Sequence, residues 1–274
     1  MTRPQINLRN YSMTRAFVFP GQGSQAVGMG KELADAFAAA RYVFEEVDET
    51  LKQNLTTVMF EGPDDDLRLT ENAQPALMAV SVAIVRVMQE EGNITLPDVA
   101  SYVAGHSLGE YAALAGAGAL SLADTARLLR LRGATMQQAV PVGEGAMAAL
   151  MGPTVEEIEA IAADAVAAGE AGDVCDLAND NAPGQVVVSG STAAVERAIE
   201  IASERGAKRS IMLPVSAPFH CSLMQPAADA MEEALAEMTI LPPAVPLVAN
   251  VTADEARDPE EIRKNLVTQV TGRV

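Results

Sequence analysis

A serine between two glycines, Gly105-His106-Ser107-Leu108-Gly109, follows an apolar run ending at Val103-Ala104 and opens onto a helix-forming run from Glu110 to Ala115. Strand, sharp turn and helix in that order are the setting of a nucleophile elbow. The turn pushes the serine hydroxyl clear of the sheet edge, and the glycines permit the close packing the turn needs. The first N–H groups of the helix then point to where an oxyanion would form. Ser107 is therefore expected to be a nucleophile. It needs a base, normally histidine, and the chain has only His106 and His220. His106 adjoins the serine in the turn, with its side chain expected to point away and pack under the elbow. Elimination leaves His220, in the loop Pro218-Phe219-His220. Many acids lie between Ser107 and His220 and none stands in a marked context, so pattern alone does not identify a third group. Nor does it choose among Arg127, Arg130 and Arg132 of the helix that follows the elbow.

Composition narrows the chemistry. Of 274 residues, 49% are hydrophobic and 20% charged, the balance of a globular chain with ample core. A net charge of −18 argues against a nucleic-acid partner, since phosphate backbones are met by basic surfaces. Two cysteines, Cys175 and Cys221, and two histidines give no metal-ligand spacing and no disulfide framework, so no metal or cofactor is expected. No apolar run reaches membrane-spanning length and the start lacks an apolar signal core, which predicts a cytoplasmic protein that does not engage a membrane.

The elements that must position these residues read as α/β. Residues 1–13 are polar and aperiodic and are expected to be a disordered extension. Arg15 to Phe19 is a strand, Pro20 to Gln25 a loop, and Met29 to Leu51 a long helix. Gly21, Gly23 and Ala26 match a dinucleotide fingerprint, but the acid that should end a second strand about twenty residues on falls within helical pattern. The loop is expected instead to line the Ser107 site. Gly62 to Asp66 reads as a turn, Ala73 to Glu91 as a helix with one apolar stripe, and Ser121 with Asp124 as the start of a helix running to Ala139. Then come strand Gly145–Met151, helix Val155–Ala168, strands Val174–Ala178 and Gln185–Ser189 around a turn from Asn179 to Gly184, helix Thr192–Arg205 and strand Lys208–Pro214. That split βαβ order predicts a small ferredoxin-like domain at 140–216, inserted into a larger one. Helix Met224–Met238, a buried strand Pro246–Asn250 and helix Pro259–Gln269 complete the chain.

Phe19-Pro20-Gly21-Gln22-Gly23-Ser24-Gln25, Gly105-His106-Ser107-Leu108-Gly109-Glu110, Pro218-Phe219-His220 and Asn250-Val251-Thr252 together resemble, in order and spacing, the malonyl-CoA:acyl carrier protein transacylases of fatty acid synthesis. The resemblance runs from Thr14 to Val274. It implies an α/β-hydrolase-like large domain with a parallel sheet, residues 14–139 and 217–274, interrupted by the ferredoxin-like domain. It also implies ping-pong transfer of a malonyl group from malonyl-CoA to acyl carrier protein by a monomer. Carried over residue by residue, it makes Ser107 the acylated nucleophile and His220 its base, with an oxyanion hole from the N–H groups of Gln22 and Leu108. Arg132 matches the arginine that pairs with the malonyl carboxylate, and Gln269 the glutamine whose carbonyl orients the histidine. Asn181 matches a substrate-side loop. Family members continue into a further strand and a glycine-rich segment, so the C-terminal part of the large domain is expected to be truncated. A serine esterase or thioesterase on the same elbow is the alternative.

Overall fold

A computed structural model describes residues 14–274; the expected extension at 1–13 lies outside the described residues. In chain order the elements are β1 (Ala16–Phe19), α1 (Lys31–Ala36), α2 (Ala38–Leu51), α3 (Leu55–Glu61), α4 (Asp64–Arg68), α5 (Thr70–Glu90), α6 (Leu96–Val99), β2 (Tyr102–Gly105), α7 (Leu108–Gly116) and α8 (Leu122–Ala139). They continue with β3 (Gly145–Met151), α9 (Val155–Ala167), β4 (Cys175–Ala182), β5 (Gln185–Ser191), α10 (Thr192–Glu204), β6 (Arg209–Met212), α11 (Gln225–Ala236), β7 (Leu247–Val248), β8 (Glu255–Ala256) and α12 (Pro259–Thr271). The architecture is mixed α/β with a parallel sheet, and the chain divides into two compact units.

The first unit comprises residues up to Arg127, Thr239–Ala249 and Ala253–Glu261. Its sheet has the order β1-β2-β7-β8, with β1, β2 and β7 parallel and β8 antiparallel to β7. α5 is the central helix: from Thr70 to Ala79 every position but Glu71 is buried, as expected of a helix covered on nearly all sides. Pro75 falls in its second turn. The stretch expected as one helix from Met29 is two, parted at Phe37, whose backbone is extended at φ −133° and ψ 125°; nothing local in the sequence marks the break. Part of the expected turn at Gly62 to Asp66 is α4 instead. Its Asp64, Asp65 and Asp66 occupy the first helical turn, where the N-terminal dipole favours acids. The buried strand expected at Pro246–Asn250 contracts to the two residues of β7.

The second unit comprises Leu128–Met238, Asn250–Thr252 and Ile262–Val274, so that α8 and α12 each supply residues to both units. Its sheet is antiparallel with the order β4-β5-β3-β6. The alternate residues Ala146, Ala148 and Leu150 of β3 and Val186 and Val188 of β5 bury one face together with Ile158, Ile161 and Ala165 of α9 and Ala194, Val195 and Ala198 of α10. α9 starts on a capping box: Thr154 Oγ1 accepts from Glu157 N, and Glu157 Oε2 accepts from Thr154 N. The expected turn at Asn179–Gly184 is narrower in the structure, because β4 runs on through Ala182 and only Pro183-Gly184 joins it to β5. Two register shifts let the polar residues Asn179 to Asn181 stay in the strand. The backbone of Val274 supports them from the other edge, Asp180 N donating to Val274 O at 2.8 Å and Val274 N to Ala178 O at 2.9 Å. That partner is 94 residues away in sequence and leaves no local trace.

Candidate active site

In the first unit, β2 ends at Gly105 and α7 begins at Leu108, which leaves His106 and Ser107 to make the turn. Ser107 has φ 55° and ψ −112°, outside the regions an L-residue populates freely, a conformation that costs about 1–3 kcal/mol and persists where its surroundings impose it. Here the surroundings are the two glycines. A Cβ on Gly105 would lie 1.9 Å from Gly109 O, and one on Gly109 would lie 2.4 Å from Phe19 O and 2.8 Å from Pro20 O. Backbone therefore touches backbone on both sides of the serine, and His106 N donates to Phe19 O at 3.1 Å, fixing the end of β1 to the turn. Leu108, the first residue of α7, is buried. The Pro20–Gln25 loop is braced by its own side chains: Ser24 Oγ donates to Gly21 O at 2.8 Å and Gly23 N to Gln25 Oε1 at 2.7 Å. Gln22 is exposed at the tip, with its side chain donating to Thr70 Oγ1 at 3.3 Å. His106 is exposed and not packed beneath the elbow: its ring lies against the loop, where a Cβ on Gly21 would meet His106 Nδ1 at 2.8 Å.

In the second unit three of the expected residues meet. His220 is buried, in a left-handed backbone conformation at φ 59°, and its Nδ1 lies 2.8 Å from Gln269 O. A carbonyl only accepts, so Nδ1 carries the proton and Nε2 is the basic nitrogen, the tautomer a general base requires. The side chain of Gln269 turns to Arg132, whose Nη2 donates to Gln269 Oε1 at 2.8 Å, and its Nε2 donates to Asn250 Oδ1 at 3.1 Å. One residue thus contacts the histidine through its backbone and the arginine through its amide.

Helical spacing delivers both partners. On α12 the buried positions are Ile262, Asn265, Leu266, Gln269 and Val270, one stripe at i, i+3, i+4, i+7 and i+8. On α8, Arg132 is 1% exposed and shares the buried face with Leu129 and Met136, whereas Arg127 is exposed and pairs with Asp124 at 3.0 Å and Arg130 is half-buried. Burial thus distinguishes Arg132 from the other two arginines of α8.

The loop around His220 has a further anchor that sequence reasoning missed. Asp176 Oδ2 accepts from both Ser222 N at 2.7 Å and Ser222 Oγ at 2.8 Å, two residues beyond the histidine. Cys221 Sγ donates to Pro218 O at 3.1 Å. Burial pushes the Cys221 thiol up to about 11 and that of Cys175 to about 12, so both stay neutral and unreactive at neutral pH. Asn181 is placed on β4 and exposed. Asn250 opens the turn after β7; its motif is visible in the sequence, and its side-chain contact is not.

Residues 16–269 match the acyl transferase domain family. A curated relative, the malonyl CoA-acyl carrier protein transacylase of Bacillus subtilis, is 49% identical over 93% of this chain and 78% of its own length, and the Escherichia coli protein of that name is 44% identical over 93% and 80%. Among solved structures, an acyl-carrier-protein-S-malonyltransferase from Bartonella henselae aligns with a TM-score of 0.91 at 56% identity, covering 96% of this chain and 82% of that one. A malonyl-transacylase in complex with its type II PKS acyl-carrier protein aligns at 0.89 and 42% identity, with the same coverage. With family match, identity and fold agreeing over nearly its whole length, the chain belongs to the acyl transferase family, among the malonyl CoA-acyl carrier protein transacylases.

Proposed function

We propose that this protein transfers a malonyl group from malonyl-CoA to the phosphopantetheine thiol of acyl carrier protein, in fatty acid biosynthesis. The observation that carries the reading is a buried arginine held by the same residue that holds the histidine. A malonyl group differs from an acetyl group by one carboxylate, and a buried carboxylate is tolerated only beside a fixed partner. A guanidinium supplies that partner with two parallel N–H bonds.

In this mechanism Ser107 Oγ attacks the malonyl thioester carbonyl while His220 Nε2 takes its proton, and the oxyanion is met by the N–H groups of Gln22 and Leu108. The carbon–sulfur bond breaks, the CoA sulfur leaves with the proton from His220, and a malonyl-serine ester remains. The carrier thiol then gives its proton to His220 and its sulfur attacks the ester; the bond from the carbonyl carbon to Oγ breaks and His220 returns the proton to Oγ, which restores Ser107. Gln269 O keeps the imidazole in the working tautomer through both halves, so no third carboxylate is required. Arg132 binds the malonyl carboxylate, and Asn181 contributes on the substrate side.

The strand order β1-β2-β7, with the elbow at the end of β2, supports an α/β-hydrolase-like large domain, which we assign to 14–139 and 217–274. The order β4-β5-β3-β6 with α9 and α10 supports a ferredoxin-like domain at 140–216. We take the enzyme to be a cytoplasmic monomer acting without cofactor or nucleic acid; no helix among the described residues is long and apolar enough to cross a membrane.

Intact mass after malonyl-CoA tests the reading. A malonyl adduct on Ser107 that only carrier protein discharges is expected; CoA release without an adduct would assign a thioesterase instead. In Arg132→Ala the malonyl carboxylate enters without its partner, at about 2–5 kcal/mol, so kcat/KM for malonyl-CoA should fall about 30-fold to several thousandfold. An equal loss with acetyl-CoA would remove Arg132 from selectivity.

A further inference from the structure

The amide of Gln269 has an oxygen end and an NH2 end, and the cation beside it decides which way round it sits. A guanidinium offers donors only. The oxygen end therefore faces Arg132 Nη2 at 2.8 Å, which sends the NH2 end to Asn250, where only an oxygen can receive it, at 3.1 Å. A flipped amide would set donor against donor at Arg132 and oxygen against oxygen at Asn250. Gln269 is fully buried and Arg132 is 1% exposed, so a misoriented amide has little water to turn to.

We propose that Asn250 is a positioning residue for acyl-group selection: by accepting from Gln269 Nε2, it holds that amide in the one orientation that fixes the Arg132 fork for the substrate carboxylate. The proposal rests on the reading of Arg132 as carboxylate receptor. Its chemistry is separable from that of the base. His220 is held by the backbone carbonyl of Gln269, which no side-chain substitution at 250 or 269 removes. Loss of the Asn250 acceptor therefore loosens the arginine and leaves the histidine its anchor. A bidentate pair depends on the angle of the guanidinium plane, so a loosened arginine shows first as weaker malonyl binding.

The test is kcat and KM for malonyl-CoA and acetyl-CoA on four proteins. Asn250→Leu keeps the branched shape, at greater bulk, and removes the acceptor; the malonyl-over-acetyl ratio of kcat/KM should fall about tenfold, through KM for malonyl-CoA. Asn250→Asp keeps an acceptor oxygen and should hold the ratio within about threefold of wild type. Gln269→Glu gives Arg132 a carboxylate of its own with which the substrate must compete, so the ratio should fall at least about tenfold, which tests the Arg132–Gln269 contact; Asn250→Ala, with the same fall in ratio expected as for the leucine variant, replaces Asn250→Leu if that variant does not fold. An unchanged ratio in Asn250→Leu, an equal loss on both substrates, or an aspartate variant as impaired as the leucine variant overturns the role of Asn250. A wild-type enzyme without preference for malonyl-CoA overturns instead the reading of Arg132 on which it rests.

Discussion

Around Ser107 the positioning is done by main chain against main chain: Gly109 on Phe19 and Pro20, Gly105 on Gly109, His106 N on Phe19 O. Around His220 one main-chain carbonyl, that of Gln269, meets the ring, and the rest is done by side chains drawn from four separate stretches, Arg132 on α8, Asp176 on β4, Asn250 in a turn and Gln269 on α12. Both regions hold a residue with positive φ, 55° for the serine and 59° for the histidine. The elbow imposes its conformation by leaving no room for any other. The histidine's region holds its residue by hydrogen bonds: the Gln269 carbonyl, which substitution leaves in place, and side-chain bonds around it that can be removed singly. Substitutions of the packed glycines in the first region should therefore be read in the melting temperature, and substitutions of the hydrogen-bonding side chains in the second in the kinetics.

The largest effects come from removing one reacting group in each region. Ser107→Ala removes the proposed nucleophile and should abolish the malonyl adduct, while His220→Ala should slow its formation by about four orders of magnitude. Both variants should melt close to wild type. An adduct that still forms on Ser107→Ala would reassign the nucleophile and dissolve the comparison.

This contrast also explains what was legible beforehand. The elbow is contiguous, so strand, glycine, serine, glycine and helix can be read in one window, and His220 follows because the chain has so few histidines. The strand and helix order of 140–216 was readable because β3, β5, α9 and α10 each bury one face with its own period. Arg132 was not separable from Arg127 and Arg130 by pattern, since what distinguishes it is the burial of one face of α8; family resemblance selected it. Gln269 had a local signal that went unused. A glutamine at i+7 in the stripe begun by Ile262 is a polar group in an apolar face, and such a group requires partners. Asp176 had none, because Ser222 lies 46 residues away. The strand through Asn179 to Ala182 carries the local composition of a turn for a related reason. Asn and Asp favour turns locally, and it is the ladder to β5 and the backbone of Val274 that override them.

Gly105→Ala sharpens the elbow's side of the comparison. Its Cβ would meet Gly109 O at 1.9 Å and Gly109 C at 2.0 Å, and backbone in that packing has no flexible end to give way. We expect a loss of at least about 3 kcal/mol, read as a fall of at least about 6 °C in Tm. A soluble variant with wild-type Tm and a slowed acylation rate would show that the elbow relaxes as readily as a side-chain network.

The smallest predicted effect lies at Asp176, where the histidine's region is tested without touching the histidine. A residue at φ 59° holds about 1–3 kcal/mol of strain, and His220 is kept there by Gln269 O at its ring and by Asp176 at the residue after next. A hydrogen bond to a charged group contributes about 1.5–3 kcal/mol, so Asp176 offsets strain of its own size. In Asp176→Ala the remaining anchor opposes the strain alone, and the aimed histidine should fall to as little as about a tenth of the population. The acylation rate constant should then fall by up to about tenfold, with KM for malonyl-CoA changed less than about twofold, because Arg132 and its partner Gln269 are untouched. Asp176→Asn keeps one acceptor oxygen and should recover most of the rate. Stopped-flow acylation with thermal melts on both variants separates the outcomes: a lowered Tm with an unchanged rate would make Asp176 a brace for β4 alone, and the histidine's region would then rest on Gln269.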